Sequence, residues 1–372
     1  MQKLTSRERL MRIFRNQPYD RPALKLWGTK PGETLLRPAY APVMNRALEV
    51  TDIFQESGSR FNIYCGRYAE EAITRVTLPT PNPLWEEVVT TYHTPKGDLT
   101  ERFHSSTIGA AGYITEYAVK DADDLEKLIS MPYAPYPFES RYFEMDAELG
   151  DRGICMFYLD HAGYALQRMT GSETLAYLSV DDRALVREAL ELLASHVYRQ
   201  AQDAIEHGIH GVFSWVGPEL LIPPLMGYQD FEEFEFQINK PLCDLIHNAG
   251  GYTWLHCHGK VAKLVDRFIE MGIDVLNPLE PPKNGDVELG ALVSRFGNRI
   301  GYEGNIEIQS ILQDDPDTLR EKIHACVKLG VKSGRFILCP SAGFMEYPEP
   351  EERYLSNLML YLDEGLKAVT SI

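Results

Sequence analysis

The chain lacks any apolar run near the roughly 18 residues that a membrane-spanning helix needs, so a spanning protein is not expected. Its first residues, MQKLTSRERLMRIFRNQ, carry charges throughout and no apolar centre, and read as neither a signal peptide nor an anchor. Positive charge is scarce. The 37 Lys and Arg face 54 Asp and Glu, giving −17 and a pI near 5.1, a balance that repels phosphate backbones and anionic membranes. Nucleic acid and membrane are therefore excluded as partners, and a small neutral or cationic ligand or a protein fits better. Cysteine is sparse too: Cys65, Cys155, Cys243, Cys257, Cys326 and Cys339 have no framework spacing, which points to a reducing cytoplasm. No low-complexity segment or solenoid-length repeat is present.

What stands out instead is the stretch 251–280, GYTWLHCHGKVAKLVDRFIEMGIDVLNPLE. Strand side chains alternate between faces, so Trp254, His256 and His258 share one face and Leu255 and Cys257 the other. Residues 261–270 are amphipathic, Met271-Gly272 ends that helix, and 273–279 is an apolar run short enough for a buried strand. The unit is βαβ with a right-handed crossover. In parallel α/β sheets, active sites gather at the carboxyl ends of the strands, where His256, His258 and Glu280 all fall.

The same rhythm runs through a composition, 44% hydrophobic and 24% charged, that is ordinary for a globular protein. Strands are predicted at 23–27, 60–65, 154–160, 211–216, 252–258, 274–280, 299–303 and 335–339, with helices at 44–54, 182–207, 230–248 and 349–369 among those between them. Thr5 caps a further helix reaching about Asn16. This predicts an α/β fold, a (β/α)8 TIM barrel occupying residues 1–372 as one domain. Residues 80–138 break the pattern. Runs 85–91 and 98–103 flank Thr94-Pro95-Lys96-Gly97 and predict an antiparallel hairpin with a third strand near 113–119. A capped helix at 121–128 and a Pro-rich linker at 131–138 complete this insertion over the barrel.

His256, His258, Glu280 and Cys339 would bring N, N, O and S donors to the ends of the fifth, sixth and eighth strands. Such a set suits Zn²⁺ with a position open for substrate, although isolated His and Cys in strands are also ordinary core residues. Cys257 should face the helix layer and, like the other four cysteines, behave as a small apolar residue. Asp160 and Glu219 are candidate catalytic groups, placed to bind substrate or move protons, or else solvated loop residues or structural hydrogen-bond partners; His161 carries the same readings. Trp27, Tyr158 and Trp215 line an aromatic-walled pocket or pack the barrel core, and Asn305 caps its loop or touches ligand.

Six segments taken in order, TSRERLMRIFRNQPYDRPAL, YHTPKGDLTERF, AVKDADDLEKLISMP, WLHCHGK, YEGNIE and ILCPSAG, resemble the uroporphyrinogen decarboxylase superfamily, and the resemblance covers nearly the whole chain. It implies the barrel and two enzyme readings. One is the methyltransferase branch, similar to methylcobamide:coenzyme M methyltransferases, which use zinc to move methyl groups between corrinoid proteins, thiols and methylated substrates. Anchored on Gly259, its His-x-Cys-Gly motif falls on His256 and His258, and its later Cys falls at Ala342, three residues after Cys339. Glu280 follows His258 by 22 residues, the Cys-to-Glu spacing of the related cobalamin-independent methionine synthase. Imidazole in place of thiolate leaves a metal more Lewis acidic and a bound thiolate less nucleophilic. That turns the expectation from a thiol acceptor towards cleavage of a methyl ether (O-demethylation) or a methylamine, with the methyl delivered to a Co(I) corrinoid on a partner protein.

The other reading is uroporphyrinogen decarboxylase itself, which acts on a tetrapyrrole without metal. Its arginine-rich run near the first strand reads LWGTKPGETLLRP here, with Lys30 and Arg37 the nearby cations, and Cys339-Pro340-Ser341-Ala342-Gly343 lacks its late histidine. A third reading is a non-catalytic barrel that binds a corrinoid or tetrapyrrole. Donor, acceptor, direction of transfer and oligomeric state, homodimer included, stay open.

Overall fold

The structure, a computed structural model, describes residues 3–32, 35, 37–343 and 349–372. Its strands in chain order are β1 (Ala23–Leu24), β2 (Ile53–Ser57), β3 (Ile73–Pro79), β4 (Trp85–Thr94), β5 (Gly97–Ser106), β6 (Tyr113–Glu116), β7 (Gly153–Tyr158), β8 (Val212–Val216), β9 (Tyr252–His256), β10 (Val275–Asn277), β11 (Gly301–Ile306) and β12 (Phe336–Pro340). Eight pair in parallel in the order β1-β12-β11-β10-β9-β8-β7-β2, and β3 to β6 form a separate antiparallel sheet. With helices between successive strands, this is a TIM-barrel-like α/β fold carrying an extra antiparallel sheet. No helix among the described residues is long and apolar enough to cross a membrane.

Period-2 alternation sorts the barrel side chains into two layers. Ala23, Ile154, Met156, Val212, Trp254, Val275 and Ile337 point inward. Their neighbours Leu24, Phe157, Phe213, Leu255, Leu276, Tyr302 and Leu338 point outward to the helices. The first helix, Ser6–Phe14, starts at a capping box in which Thr5 and Glu8 satisfy each other's backbone N–H groups. It lays Leu10, Ile13 and Phe14 against the inward cluster and so plugs the amino-terminal end of the barrel. Arg335 fastens the plug by donating to Ile13 O at 2.8 Å and Phe14 O at 3.0 Å. The carboxyl end is left as the mouth.

The ends of the parallel sheet, β1 and β2, meet through one residue. Asp52 N donates to Leu24 O at 2.7 Å, and Leu24 N donates to Asp52 Oδ2 at 3.0 Å, so backbone and carboxylate together bridge the seam. Arg9 reaches Asp52 Oδ1 at 2.6 Å and also pairs with Asp20, while Arg21 reaches Asp52 Oδ2 at 3.1 Å. Arg9 is 2% exposed and Asp52 0%, so neither charge has water to fall back on.

Two expectations are corrected. The strand predicted at 60–65 is a turn, because Asn62 Oδ1 accepts from the backbone of Tyr64 and Cys65 at 3.1 Å each. The second barrel strand lies earlier, at Ile53–Ser57, in sequence that reads as the tail of a helix; that helix is Ala41–Val50 and stops where Thr51 turns extended. The antiparallel sheet has four strands, and the one not foreseen, β3, is an edge exposed along nearly its whole length. The helices Arg183–Glu206 and Glu352–Thr370 fall within a few residues of their predicted ranges.

The seam should dominate stability. Asp52→Ala leaves the buried Arg9 short of one partner and is expected to cost about 3–5 kcal/mol in urea denaturation, far above an exposed Asp→Ala control. Burial disfavours the Asp20 charge, but Arg9 and the Leu4 amide overcome it and hold the carboxyl below its ordinary range. The folded value lies below the unfolded one, so this contribution is complete above about pH 4 and is lost as pH falls further. A urea series run downward from pH 5 checks it.

Candidate active site

His256 ends β9 on the inward face, and His258 follows on the same face. Their ring centroids are 4.4 Å apart and the planes nearly perpendicular at 89°. The Nδ1 of His256 lies 2.5 Å from Asn277 Oδ1. The Nδ1 of His258 donates to Glu280 Oε1 at 2.9 Å, and Gly259 N donates to Glu280 Oε2 at 2.8 Å. Burial and the neighbouring His258 push His256 down to about 4, which keeps it neutral. His258 moves the other way, raised by its hydrogen bond to Glu280 against the opposing pull of burial. Burial alone would raise Glu280, but His258 and the Gly259 amide hold it below the usual carboxyl range.

Glu280 reaches this position through an unusual backbone. Leu279 is fully buried yet has φ +56°, a left-handed conformation that costs a branched side chain about 1–2 kcal/mol. Asn305 Nδ2 donates to Leu279 O at 2.5 Å and holds the turn. Gly304, at φ +152°, permits the approach, since a Cβ there would lie 2.0 Å from Pro278 O.

Beneath the imidazoles lies a buried polar cluster centred on Glu303. Lys25 Nζ sits 2.6 Å from its Oε1, Trp254 Nε1 donates to its Oε2 at 2.7 Å, and Asn277 Nδ2 donates to its Oε1 at 2.9 Å. Cys339 packs against Glu303 and Asn277, and burial with the Glu303 charge pushes its thiol well up. Trp27 closes one side, its ring 5.3 Å from that of His256 and its Nε1 bonded to Pro340 O at 2.9 Å.

Next around the barrel from β9, Glu219 follows β8 and Asp160 follows β7. Asp160 makes no hydrogen bond or ion pair among the described residues, and burial raises its carboxyl. Glu219 Oε2 is buried without a partner among the described residues; burial raises this carboxyl also, with His258 and His161 pulling the other way. Tyr158, inward-facing at the end of β7, has its phenol pushed up by burial and by Asp160 and Glu56. Glu307, which the sequence did not single out, accepts from Asn284 and Ser341, and burial raises its carboxyl within electrostatic reach of His258.

Several candidate site residues take their structural reading instead of the functional one. His161 is not in the mouth: its Nδ1 accepts from Tyr164 N, capping the next helix, and its Nε2 donates to the buried Glu235 at 2.7 Å. Trp215 points outward into the helix layer at 1% exposure, because it is out of phase with inward-facing Ser214, which donates to Glu56. Asn305 acts on the backbone of Leu279. Cys257 faces the helix layer as alternation requires. Lys25 and Asn277 went unread, although each is a polar residue at an inward position of an otherwise apolar strand, which was the available signal.

Whether these residues suit a metal turns on their free donors. A metal-binding imidazole usually has its remote nitrogen tied to a carboxylate, amide or carbonyl, and both rings meet that condition, leaving each Nε2 without a hydrogen bond among the described residues. The other two expected ligands are otherwise engaged, Glu280 with His258 and Gly259, Cys339 with Glu303 and Asn277. Among the described residues, no three His, Cys, Asp or Glu side chains stand ready as a metal-binding group.

The family model described as uroporphyrinogen decarboxylase (URO-D) matches residues 160–353, just over half of the chain. No curated protein matches the sequence. Among solved structures, a methyltransferase from Methanosarcina mazei is similar at a TM-score of 0.59 and 15% identity, over 97% of this chain and 99% of its own, a likeness of fold. D-psicose 3-epimerase from Clostridium cellulolyticum H10, solved with D-tagatose, covers 62% of this chain and 83% of its own at 11% identity, and its TM-score of 0.33 is too low to bear on this chain.

The strained turn gives a local test. Asn305→Ala leaves Leu279 O unsatisfied and is expected to cost about 1–3 kcal/mol in chemical denaturation. Asn305→Asp, similar in shape but with no N–H to donate, should do no better.

Proposed function

The chain belongs to the uroporphyrinogen decarboxylase (URO-D) family, and we propose on that premise that it is a methyltransferase, moving a methyl group between a small methylated substrate, methoxy compound or methylamine, or a thiol, and a corrinoid carried by a partner protein. The observation that carries this reading is the imidazole pair at the mouth, each ring fixed through Nδ1 and, among the described residues, free at Nε2. A decarboxylase for a tetrapyrrole with many carboxylates needs cations at that place. Here Lys25 is consumed by Glu303, and Asp160, Glu219, Glu280 and Glu307 surround the opening. Six free cysteines fit a chain working in the reducing cytoplasm.

A zinc ion at this site would be held by His256 and His258 and would supply Lewis acidity to a substrate oxygen or sulfur. Glu280 and Cys339, the other donors expected from sequence, would join only by leaving their present partners. The chain's own groups supply orientation and protons. Glu280 fixes the His258 ring, and the Trp27 and Tyr158 rings offer faces for an apolar methyl-bearing group. When a methyl group leaves an ether, the oxygen left behind needs a proton. Asp160 and Glu219, both shifted towards their protonated forms by burial, are placed to give one. A positively charged methylamine would instead meet them as carboxylates of opposite charge.

Metal analysis of the purified chain, with methyl transfer to cob(I)alamin assayed from a panel of methoxylated and methylated compounds, tests the reading. The expected result is about one zinc per chain, lost in His256→Ala, with zinc affinity about 10–100-fold weaker in Glu280→Gln. Metal-free protein that transfers methyl from no compound on the panel overturns it, and turnover of uroporphyrinogen would favour the decarboxylase.

A further inference from the structure

We infer that Glu303 is a positioning residue, acting through the Asn277 side chain to fix which nitrogen of His256 carries the proton. The argument runs on donors and acceptors alone. Glu303, with the Lys25 ammonium 2.6 Å from Oε1 as its counter-charge and the indole N–H of Trp254 on Oε2, has only acceptors to offer. The end of the Asn277 amide that lies 2.9 Å from Glu303 Oε1 must therefore be its NH2. An amide has one nitrogen and one oxygen, so the end that lies 2.5 Å from His256 Nδ1 must be the carbonyl. A carbonyl accepts, hence His256 Nδ1 donates, and a neutral ring that donates at Nδ1 presents a lone pair at Nε2.

Every member is held. Glu303 and Asn277 are both 0% exposed, so water cannot take over either hydrogen bond. The participants come from different strands, Lys25 beyond β1, Trp254 and His256 on β9, Asn277 on β10 and Glu303 on β11, with Asn277 directly beside His256 in the β9–β10 register. Without this constraint a neutral imidazole exchanges between tautomers, and the Nε2–H form would offer a donor where an acceptor is needed. The geometry thus makes the lone pair at the mouth a property of the barrel interior, set by a carboxylate that never touches the ligand.

This goes beyond the methyl-transfer reading and does not depend on it, because its test uses the metal-free, ligand-free full chain. Nitrogen-15 NMR of the imidazoles should show His256 as the Nδ1–H tautomer, with a pyridine-like Nε2. In Glu303→Gln, the new amide can present its carbonyl or its NH2, which frees Asn277 to turn over. His256 is then expected to populate the Nε2–H form substantially, while His258 keeps its signals. Asn277→Asp can share one proton with Glu303 and still accept at Nδ1 through its other oxygen, so it should retain the Nδ1–H tautomer, whereas Asn277→Leu should lose it. Zinc titration of the same set should follow the tautomer, with binding weakened about tenfold or more in Glu303→Gln and Asn277→Leu. An Nε2–H tautomer in the unaltered chain, or an unchanged His256 signal in folded Glu303→Gln and Asn277→Leu alike, overturns the inference. Absence of methyl transfer, by contrast, would remove the proposed reaction and leave this assignment standing.

Discussion

A single buried carboxylate organises the barrel interior. Glu303 is fully removed from water, and leaving a charge there unpaired would cost several kcal/mol. Its solution is to be surrounded by donors from strands far apart in sequence, Lys25 next to β1, Trp254 on β9 and Asn277 on β10. Apolar packing holds the strands in a ring but does not specify how one side chain is rotated against the next. Hydrogen bonds to a fixed acceptor do, since each has a direction as well as a length. Trp27 and Trp254, His256 and Cys339 all take their places relative to this centre.

Around the mouth, one physical factor acts in opposite senses on acids and bases. Loss of water disfavours charge, so it lowers His256 and raises Asp160, Glu219 and Glu307. His258 and Glu280 escape because the hydrogen bond between them raises the one and lowers the other. The result is one hydrogen-bonded acid–base couple beside a neutral imidazole, facing carboxyls that are reluctant to ionise. Groups of one chemical type thus differ in protonation according to partner and depth, which is the condition that acid and base chemistry at a single pH requires.

The part of this that could be read from sequence is the part governed by local periodicity. Alternation on β9 correctly put Trp254, His256 and His258 on the inner face and Cys257 on the outer, and the same rule explains why Trp215, out of phase with Ser214, faces the helices. Of the two readings for Trp215, pocket or packed core, phase decides for the core. His161 takes its structural alternative, that of a hydrogen-bond partner, and only the fold decides this, because its partner Glu235 lies 74 residues away on a π-helix that no local pattern announces. The seam at Asp52 and the turn made by Asn62 were hidden because a short strand following directly on a helix shares its apolar spacing. The links from Lys25 to Glu303 and from Asn277 to His256 are pairings across strands, and the register that creates them exists only once the sheet has formed.

The way the ring is joined bears on how the molecule is made. β1 pairs with β12, and Arg335 is bonded to the carbonyls of Ile13 and Phe14, so these early elements wait for partners 322 and 321 residues further along the chain. Loop-closure entropy must be met before those contacts return anything, which places this chain among slow-folding, high-contact-order topologies. During translation the plug helix, with Leu10, Ile13 and Phe14 uncovered, has no seat. An apolar helix face of this design therefore stays uncovered until distant strands have formed, which is where an incompletely folded chain is prone to aggregate.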